Sequence, residues 1–281
     1  MKRIGLAFLV LLLFSVSAVS FEPFIETEQG TIGVLHHTYK NGTDPADTTM
    51  STFDFVNQGG QDLLFPFSRY AVGATIAKRH RAWFTYQPLE VVTNVKVPSG
   101  ETVYVGSETF AAGTPLELTY SFPFYRFSYT FDLLGKQDHA VLGVGLVLQI
   151  RDVSVKFKAL DDSKKLYVAN NVGLVPALAI YSEYSFPFGL TLSADIAGSY
   201  ARSSFFNGAD FDFEGSILDA SLRMSYALRN GFELFGVARF FGGTSNGTSS
   251  YPSDSWSVSD NRYSQNNIAT LTASVGLKWS N

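Results

Sequence analysis

Charged residues recur at alternate positions inside long segments whose other residues are apolar or small. In Tyr125–Leu133, Arg126 and Asp132 share one parity with Ser128 and Thr130, and mostly aromatic residues occupy the other. Mixed charges on one face can line a path for ions or solutes, or they can pair with one another in a packed interior. The candidate set contains both signs and comprises Arg126, Asp132, Arg151, Glu183, Asp195, Asp219, Arg223 and Arg239, with Arg69 and Glu233 in the same pattern.

Histidines and carboxylates offer a second kind of chemistry. His36 and His37 are adjacent, so in a strand they point to opposite faces and at most one can serve an inward site as a general base. His80 and His139 lie beside predicted tight turns, where a surface role is more common. Asp210–Gly215 places three carboxylates at alternate positions; calcium favours such oxygens, but a solvated acidic loop is the simpler interpretation. We therefore predict no metal site and no cofactor.

The elements that carry these residues are predicted to be strands, because apolar residues repeat with a period of two. From Leu142 to Ile150 every second residue is Leu, Val or Ile. The two halves of 116–160 form a predicted hairpin around the polar link Gly135–Asp138. Each half has about 20 residues, whereas globular strands usually have roughly 3–10, and outer-membrane strands often extend beyond the bilayer. A large soluble sandwich or lipocalin-like barrel is the alternative.

The charged parity of these strands must face a lumen if the strands cross a membrane. A charge that faces lipid at mid-depth costs about 2–4 kcal/mol. The rest of the chain repeats the hairpin pattern, and Asn230-Gly231 is a strong hairpin signal. Tight links are predicted at 78–80, 135–138, 187–188 and 229–231.

Longer polar segments separate the hairpins, chiefly Lys40–Asp62, Pro98–Pro115 and Gly242–Asn267. Short turns at one end and long loops at the other are typical of transmembrane barrels. Gly30–Tyr39 is the predicted first strand and Asn267–Trp279 the predicted last. The fold is therefore predicted to be an all-β antiparallel transmembrane barrel of about ten strands, with eight as the alternative.

Residues 1–20 are predicted to be a cleaved secretory signal peptide. Lys2 and Arg3 precede an apolar run, and small residues precede a cut after Ser20. The run is short for a membrane span, which disfavours a retained anchor helix. Removing Lys2 and Arg3 leaves 19 of 21 basic residues against 25 acidic ones in the barrel domain 21–281, so no nucleic-acid partner is indicated. The chain has no cysteine and hence no disulfide.

Aromatic residues are predicted to form two belts at the two membrane interfaces, where a ring has one apolar and one wet side. The belt near the tight turns and the last strand's end comprises Phe131, Tyr184, Phe186, Phe188, Tyr226, Phe232 and Trp279. The belt near the long loops comprises Tyr120, Phe157, Tyr167, Tyr200 and Phe240.

Several stretches carry a family resemblance. The last predicted strand ends in an aromatic residue, Trp279, and three stretches within Phe110–Tyr184 read TFAAGTPLELTYSFPFYRFSYTFDLL, LQIRDVSV and NVGLVPALAIYSEY. The mature chain resembles a small bacterial outer-membrane β-barrel. The three stretches are similar to an uncharacterised family of such barrels with the motifs F-x-x-G, S-Y-R-x-x-Y, K-I-R-D-A and G-F-V-P-L-L. The resemblance implies the cell outer membrane, with its lipids, lipopolysaccharide and assembly machinery as partners, but no activity.

The favoured interpretation is a structural or narrow-pore membrane protein. A barrel of about eight to ten strands leaves little space beyond its own side chains, so ion pairs are expected to fill it. A solute path and a ligand site are the alternatives, and the polar loops could contact ligands. The enzyme alternative is a hydrolase for lipid or lipid A in the outer leaflet, using His36 or His37. We expect a monomer.

Overall fold

Strands account for most of the chain. The computed structural model describes residues 20–42, 51–61, 64–135, 137, 139–202, 212–248 and 263–281, without the side chains of Arg151, Asn171, Asp212, Phe213 and Thr248. The described strands are β1 (Phe21–Gly42), β2 (Phe53–Asp54), β3 (Leu64–Ile76), β4 (His80–Gln87), β5 (Glu90–Lys96), β6 (Val103–Val105), β7 (Glu108–Phe110), β8 (Pro115–Ser121), β9 (Phe124–Asp132), β10 (Ala140–Ala159), β11 (Leu166–Ser185), β12 (Leu190–Arg202), β13 (Asp212–Ala227), β14 (Phe232–Thr248) and β15 (Tyr263–Ser280). None of the described residues belongs to a helix long and apolar enough to cross a membrane. The predicted signal peptide, apart from Ser20, lies outside these residues.

Ten of the strands close into one antiparallel barrel. Their order is β1-β3-β4-β9-β10-β11-β12-β13-β14-β15, and β15 pairs with β1 to complete the circle. Each of these strands therefore has a hydrogen-bonded neighbour on both sides, as a membrane interior without water requires. The prediction of ten strands is confirmed, and the alternative of eight is wrong.

The tight links all lie at one end of the barrel, as predicted. In the link from β13 to β14, Asn230 and Gly231 have φ of 59° and 77°, the backbone that a two-residue hairpin turn requires. Phe24 pairs with Ser280, so the last strand ends at the same end of the barrel. The strand ends that the longer links join lie at the opposite end, which we call the loop end; in outer-membrane barrels that end is extracellular.

The outer surface carries the predicted apolar band. On β10 the side chains from Leu142 to Ile150 at every second position are exposed, and the positions between them face inward. Beyond Ile150 the outward residues become polar, namely Asp152, Lys156 and Lys158. The switch marks the loop-end limit of the surface that faces lipid.

The inner surface has two layers of different chemistry. Charged and polar side chains fill the half next to the tight turns. Aromatic and aliphatic side chains fill the half next to the loop end, and we call this second group the aromatic layer. Its largest fully buried members are Phe53, Phe55, Phe67, Phe110, Phe157, Leu116, Leu118 and Tyr120.

The aromatic layer corrects the predicted belt near the loops. Tyr120, Phe157 and Tyr167 are 1%, 0% and 6% exposed, so they lie inside the barrel and not at a lipid interface. Tyr200 is exposed as predicted. The three buried residues share the inward parity of their strands, and position along a strand alone does not distinguish the inner face from the outer.

The first strand is longer than predicted. It begins at Phe21, not at Gly30, and ends at Gly42. Its inward residues Glu26 and Glu28 are acidic, and its outward residues at this level are polar. The apolar alternation that signals a strand is therefore missing from this part of the sequence.

Two prolines interrupt neighbouring strands at one level. β4 and β5 keep a single register against β9 and β8, which places Pro88 opposite Pro123. A proline has no N–H to donate, so the ladder breaks at both residues. The predicted continuous strand from Leu116 therefore divides at Phe122-Pro123, although both halves stay in register with β10. Beyond the break, β5 and β8 continue beside β10 as an extension of the sheet at the loop end.

Replacing Phe157 by Ala should lower the free energy of unfolding by about 3–5 kcal/mol, because the ring is fully buried and a cavity would remain. The ring centre lies 5.2 Å from that of Phe53 and 5.6 Å from that of Phe55. Urea unfolding in detergent micelles measures the change. The matched control is Phe188→Ala, whose ring is 65% exposed. Equal losses for both variants would contradict a packed interior at the loop end.

Candidate functional site

Five residues form a chain of ion pairs across the lumen, which we call the first chain. Arg126 on β9 lies 2.6 Å from Asp219 on β13, and three strands separate β9 from β13 around the barrel. Asp219 also lies 3.3 Å from Arg239 on β14. Arg239 is 3.7 Å from Glu28 on β1, and Glu28 is 3.2 Å from Arg69 on β3. The first chain therefore links strands on facing walls.

Hydrogen bonds complete the environment of the first chain. Arg126 donates from Nε and Nη2 to Gln149 Oε1 at 3.1 and 2.8 Å. The hydroxyl of Ser274 donates to Glu28 Oε1 at 2.5 Å. A buried ion pair is stable only if neighbouring groups also satisfy its remaining donors and acceptors. These uncharged neighbours supply several of the required bonds.

A second chain of ion pairs is built around Glu26 on β1. Glu26 lies 3.0 Å from Arg223 and 3.9 Å from Arg81. Arg223 also pairs with Glu233 at 2.6 Å, and Glu233 lies 3.5 Å from Lys278. Together the two chains, which we call the lumenal network, occupy the lumen at the level of the apolar band.

Aromatic rings hold two of the arginines in place. The guanidinium of Arg81 lies 4.4 Å from the ring centre of Tyr181, and that of Arg223 lies 3.7 Å from the ring centre of Phe235. Such cation–π contacts strengthen when water is excluded. The hydroxyl of Tyr181 donates to the carboxylate of Glu183, which attaches this carboxylate to the edge of the network.

A polar cavity of ≈ 50 Å³ lies among these side chains. One water needs about 10–15 Å³, so the cavity has room for roughly three to five water molecules. Asp195 on β12 lines the cavity beside Arg126, Arg239 and Asp219. The cavity has room for water but not for a larger molecule.

The structure brings together six of the ten charges that the sequence pattern placed on the inward face. Arg126, Asp219, Arg223 and Arg239 belong to the lumenal network, together with Arg69 and Glu233. Asp195 and Glu183 lie beside it without joining either chain. The side chain of Arg151 lies outside the described part of the structure.

Asp132 has a different role from the one predicted. It is the last residue of β9, and its carboxylate accepts hydrogen bonds from the backbone N–H groups of Leu134, Gly135 and Leu142 at 3.0, 2.8 and 3.0 Å. Asp132 therefore fixes the tight turn into β10. It has the inward parity of the network residues but lies too near the end of its strand to reach them.

Four members of the network were not predicted from the sequence, namely Glu26, Glu28, Arg81 and Lys278. Glu26 and Glu28 precede the predicted start of the first strand, although they share a parity with Phe24. Lys278 lies between the lipid-facing residues Leu277 and Trp279, so the alternation along the strand was sufficient to predict that it faces the lumen.

His36 and His37 point to opposite faces of β1, as predicted. His37 is fully buried in the aromatic layer, whereas His36 is exposed on the outer face. The ring of His37 stacks on Phe55 at 4.0 Å and meets the ring of Tyr120 edge-on at 4.3 Å. Neither ring nitrogen of His37 has a hydrogen-bond partner among the described residues.

The loop that covers His37 is fixed by Asp54. The carboxylate accepts hydrogen bonds from the backbone N–H groups of Val56 and Asn57, both at 2.9 Å, and from Asn57 Nδ2 at 2.7 Å. Burial alone would raise the pKa of Asp54, but the hydrogen bonds from Asn57 and Val56 hold it below its ordinary value. This turn positions the ring of Phe55 over His37.

Potential metal ligands are scattered among the described residues. Across the described ranges, no three His, Cys, Asp or Glu side chains are grouped so that they could hold a metal ion. In the acidic segment 210–215, residues 210 and 211 and the side chain of Asp212 lie outside the described part of the structure, and Glu214 pairs with Arg202 on β12 at 3.9 Å.

Comparison with known proteins identifies the fold. No family model matches the chain, and no curated protein is similar to it in sequence. Among solved structures, the outer membrane protease OmpT from Escherichia coli has a TM-score of 0.58 at 8% identity, covering 95% of this chain and all of that one. A FadL homologue from Pseudomonas aeruginosa has a TM-score of 0.36 at 8% identity, covering 92% and 89%. The toluene transporter TodX from P. putida has 0.31 at 10% identity, covering 92% and 89%.

The closed barrel, its apolar outer band and the likeness to OmpT define an outer-membrane β-barrel, and they place the chain in the outer membrane of a Gram-negative cell. The narrower resemblance, to an uncharacterised family over Phe110–Tyr184, stays a prediction. At 8% identity the likeness extends to the fold alone.

Replacing Glu28 by Gln should lower the free energy of unfolding by about 3–5 kcal/mol, because Arg69 and Arg239 would lose a buried anionic partner. Urea unfolding in detergent micelles measures the loss. The matched control is Glu117→Gln, which removes an exposed pair with Lys158 and should cost about 0–1 kcal/mol. A change at Glu28 no larger than that at Glu117 would contradict the first chain.

Proposed function

We propose that this protein is an occluded outer-membrane barrel, which does not conduct hydrophilic solutes and acts through its loop-end surface. The observation that carries the proposal is the first chain of ion pairs, which runs from Arg126 on one wall to Asp219 on the facing wall. A passing solute would have to separate such pairs. Leaving one member of a buried pair without its partner costs about 3–5 kcal/mol.

The aromatic layer adds a second barrier in series. Phe157 and Tyr120 are almost completely buried, and rings from several strands pack against them. A hydrated solute would have to lose its water to enter this layer, which is unfavourable for polar groups without new partners. The two layers therefore support an occluded barrel more strongly than either layer alone.

A narrow path for water is the second candidate, and the polar cavity favours it. Its volume of ≈ 50 Å³ suits a few water molecules inside the lumenal network. The aromatic layer lies between this cavity and the loop end. Transport of ions or metabolites would need both layers to rearrange.

At the loop end, the extension of the sheet beyond the membrane can support contacts with other molecules. There, β8 and the upper half of β10 present Lys156, Lys158 and Glu117 outward, while Leu118 and Phe157 pack inward. This extension is rigid because its inner side is fully packed. It supports a role for the attached loops in binding ligands, with outer-membrane lipids and lipopolysaccharide as the nearest partners.

The enzyme alternative has less support from the geometry. One similar structure is a protease by name, but no activity follows from likeness at 8% identity. A hydrolase for lipid or lipid A would need a base at His36 or His37, and His37 is enclosed by Phe55 and Tyr120. Mass spectrometry of outer-membrane lipids after incubation with the protein and with His37→Ala tests this alternative. A product that only the unaltered protein forms would overturn the non-enzymatic proposal.

We expect the protein to show no stable conductance steps in planar lipid bilayers, because paired charges and the aromatic layer fill the lumen. The protein is delivered to the bilayer by fusion of lipid vesicles that contain it. Its folding and insertion are verified independently by the heat-modifiable migration of protein recovered from those vesicles. The control variant Lys158→Ala, which leaves both layers intact, should likewise show no conductance steps. Large, stable single-channel steps from the unaltered protein would contradict the proposal.

A further inference from the structure

A polar stripe lies on the lipid-facing surface of β1. Thr27, Gln29 and Thr31 are exposed on its outer face. Ile25 and Leu35, which bracket them along the strand, are 57% and 59% exposed. The stripe therefore lies within the apolar band and not at either edge of it.

The neighbouring strands place the stripe at the same depth. Gln29 pairs with Val275 on β15 and with Ser68 on β3. Val275 is 65% exposed. Leu277, on the same face of β15, and Val72 on β3 are also exposed and apolar. A polar group at this level faces hydrocarbon in a lone barrel, where polar residues are uncommon and usually have a functional reason.

The amide of Gln29 is only partly satisfied by its own chain. Ser68 Oγ donates to Gln29 Oε1 at 2.7 Å, and Gln29 Nε2 donates to the hydroxyl of Tyr70 at 3.4 Å. A glutamine amide has two N–H donors and an oxygen with two acceptor positions. Within the described contacts, one donor and one acceptor position of Gln29 remain open, and lipid tails can fill neither.

We propose that this stripe is the centre of a contact between two copies of the chain within the membrane. A closed pair of identical chains is related by a two-fold axis, so the same surface meets itself. The open donor and the open acceptor of Gln29 are then complementary to those of Gln29 in the second copy. An unlike partner would have to present a matching donor and acceptor at the same depth, whereas a second copy always does.

The residues around Gln29 permit a close approach. Thr27, Thr31 and Gly33 are small, and small residues at an interface allow backbones to pack together in lipid. The tilt of the strands makes the two β1 strands cross at Gln29, with the apolar side chains of β15 and β3 on either side. The proposed dimer differs from the monomer expected from the sequence, and the cross-linking experiment below decides between them.

The absence of cysteine from the sequence allows a direct test. Thr31→Cys keeps Gln29 and places a thiol beside the crossing point. Treatment of outer-membrane fractions with a short, membrane-permeable bis-maleimide should give a covalent species of twice the monomer mass. The matched control is Leu178→Cys on β11, which is 71% exposed and lies five strands from β1 in either direction. It should give no more dimer than the unaltered protein.

A second variant tests the role of the amide itself. In the Thr31→Cys background, Gln29→Leu should lower the dimer yield about tenfold, because hydrogen bonds between transmembrane segments contribute about 1–2 kcal/mol in model systems. Heat-modifiable migration must show that every variant has folded. The proposal is overturned if Thr31→Cys cross-links no better than Leu178→Cys, or cross-links to a protein of another mass. An unchanged yield with Gln29→Leu would also overturn the proposal, because the pairing of the two amides is its reason for choosing a second copy.

Discussion

Charge pairing inside a closed barrel is the constraint on which the rest of the structure depends. The outer face must be apolar to meet lipid, so the charged parity of each strand has only the lumen to occupy. There the carboxylates of Glu26, Glu28 and Asp219 each have at least two cationic neighbours. Since an unpaired ion in such an interior is strongly destabilising, the pairs fix which strands face one another.

The two layers of the interior fill different parts of the barrel. The lumenal network fills the part of the barrel that crosses the lipid, where its charges are shielded from hydrocarbon by the strands themselves. The aromatic layer fills the part at the loop end and gives the sheet extension a packed core. The proposed occlusion of the lumen leaves the loop end and the outer wall as the surfaces that partners can contact.

The period of two was enough to predict the fold, because it assigns each residue to the inner or outer face without any knowledge of contacts. It gave the ten strands and the end of the barrel at which the tight turns lie. It could not show that Arg126 meets Asp219, since that contact depends on the relative shift of strands that are not neighbours. It missed Glu26 and Glu28 because polar residues on both faces of β1 erase the apolar alternation. Tyr120 and Phe157 were misplaced because aromatic rings suit both a lipid interface and a packed interior.

A double-mutant cycle between Arg126 and Asp219 tests the central claim, a charge pair that joins facing walls of the lumen. Urea unfolding of Arg126→Met, Asp219→Asn and the double variant gives the coupling energy directly. The account predicts that the double variant is more stable than the sum of the single losses implies, by about 1.5–3 kcal/mol, because the pair is buried and close. Losses that add within about 0.5 kcal/mol would show that the two residues do not interact across the lumen, and would contradict the account.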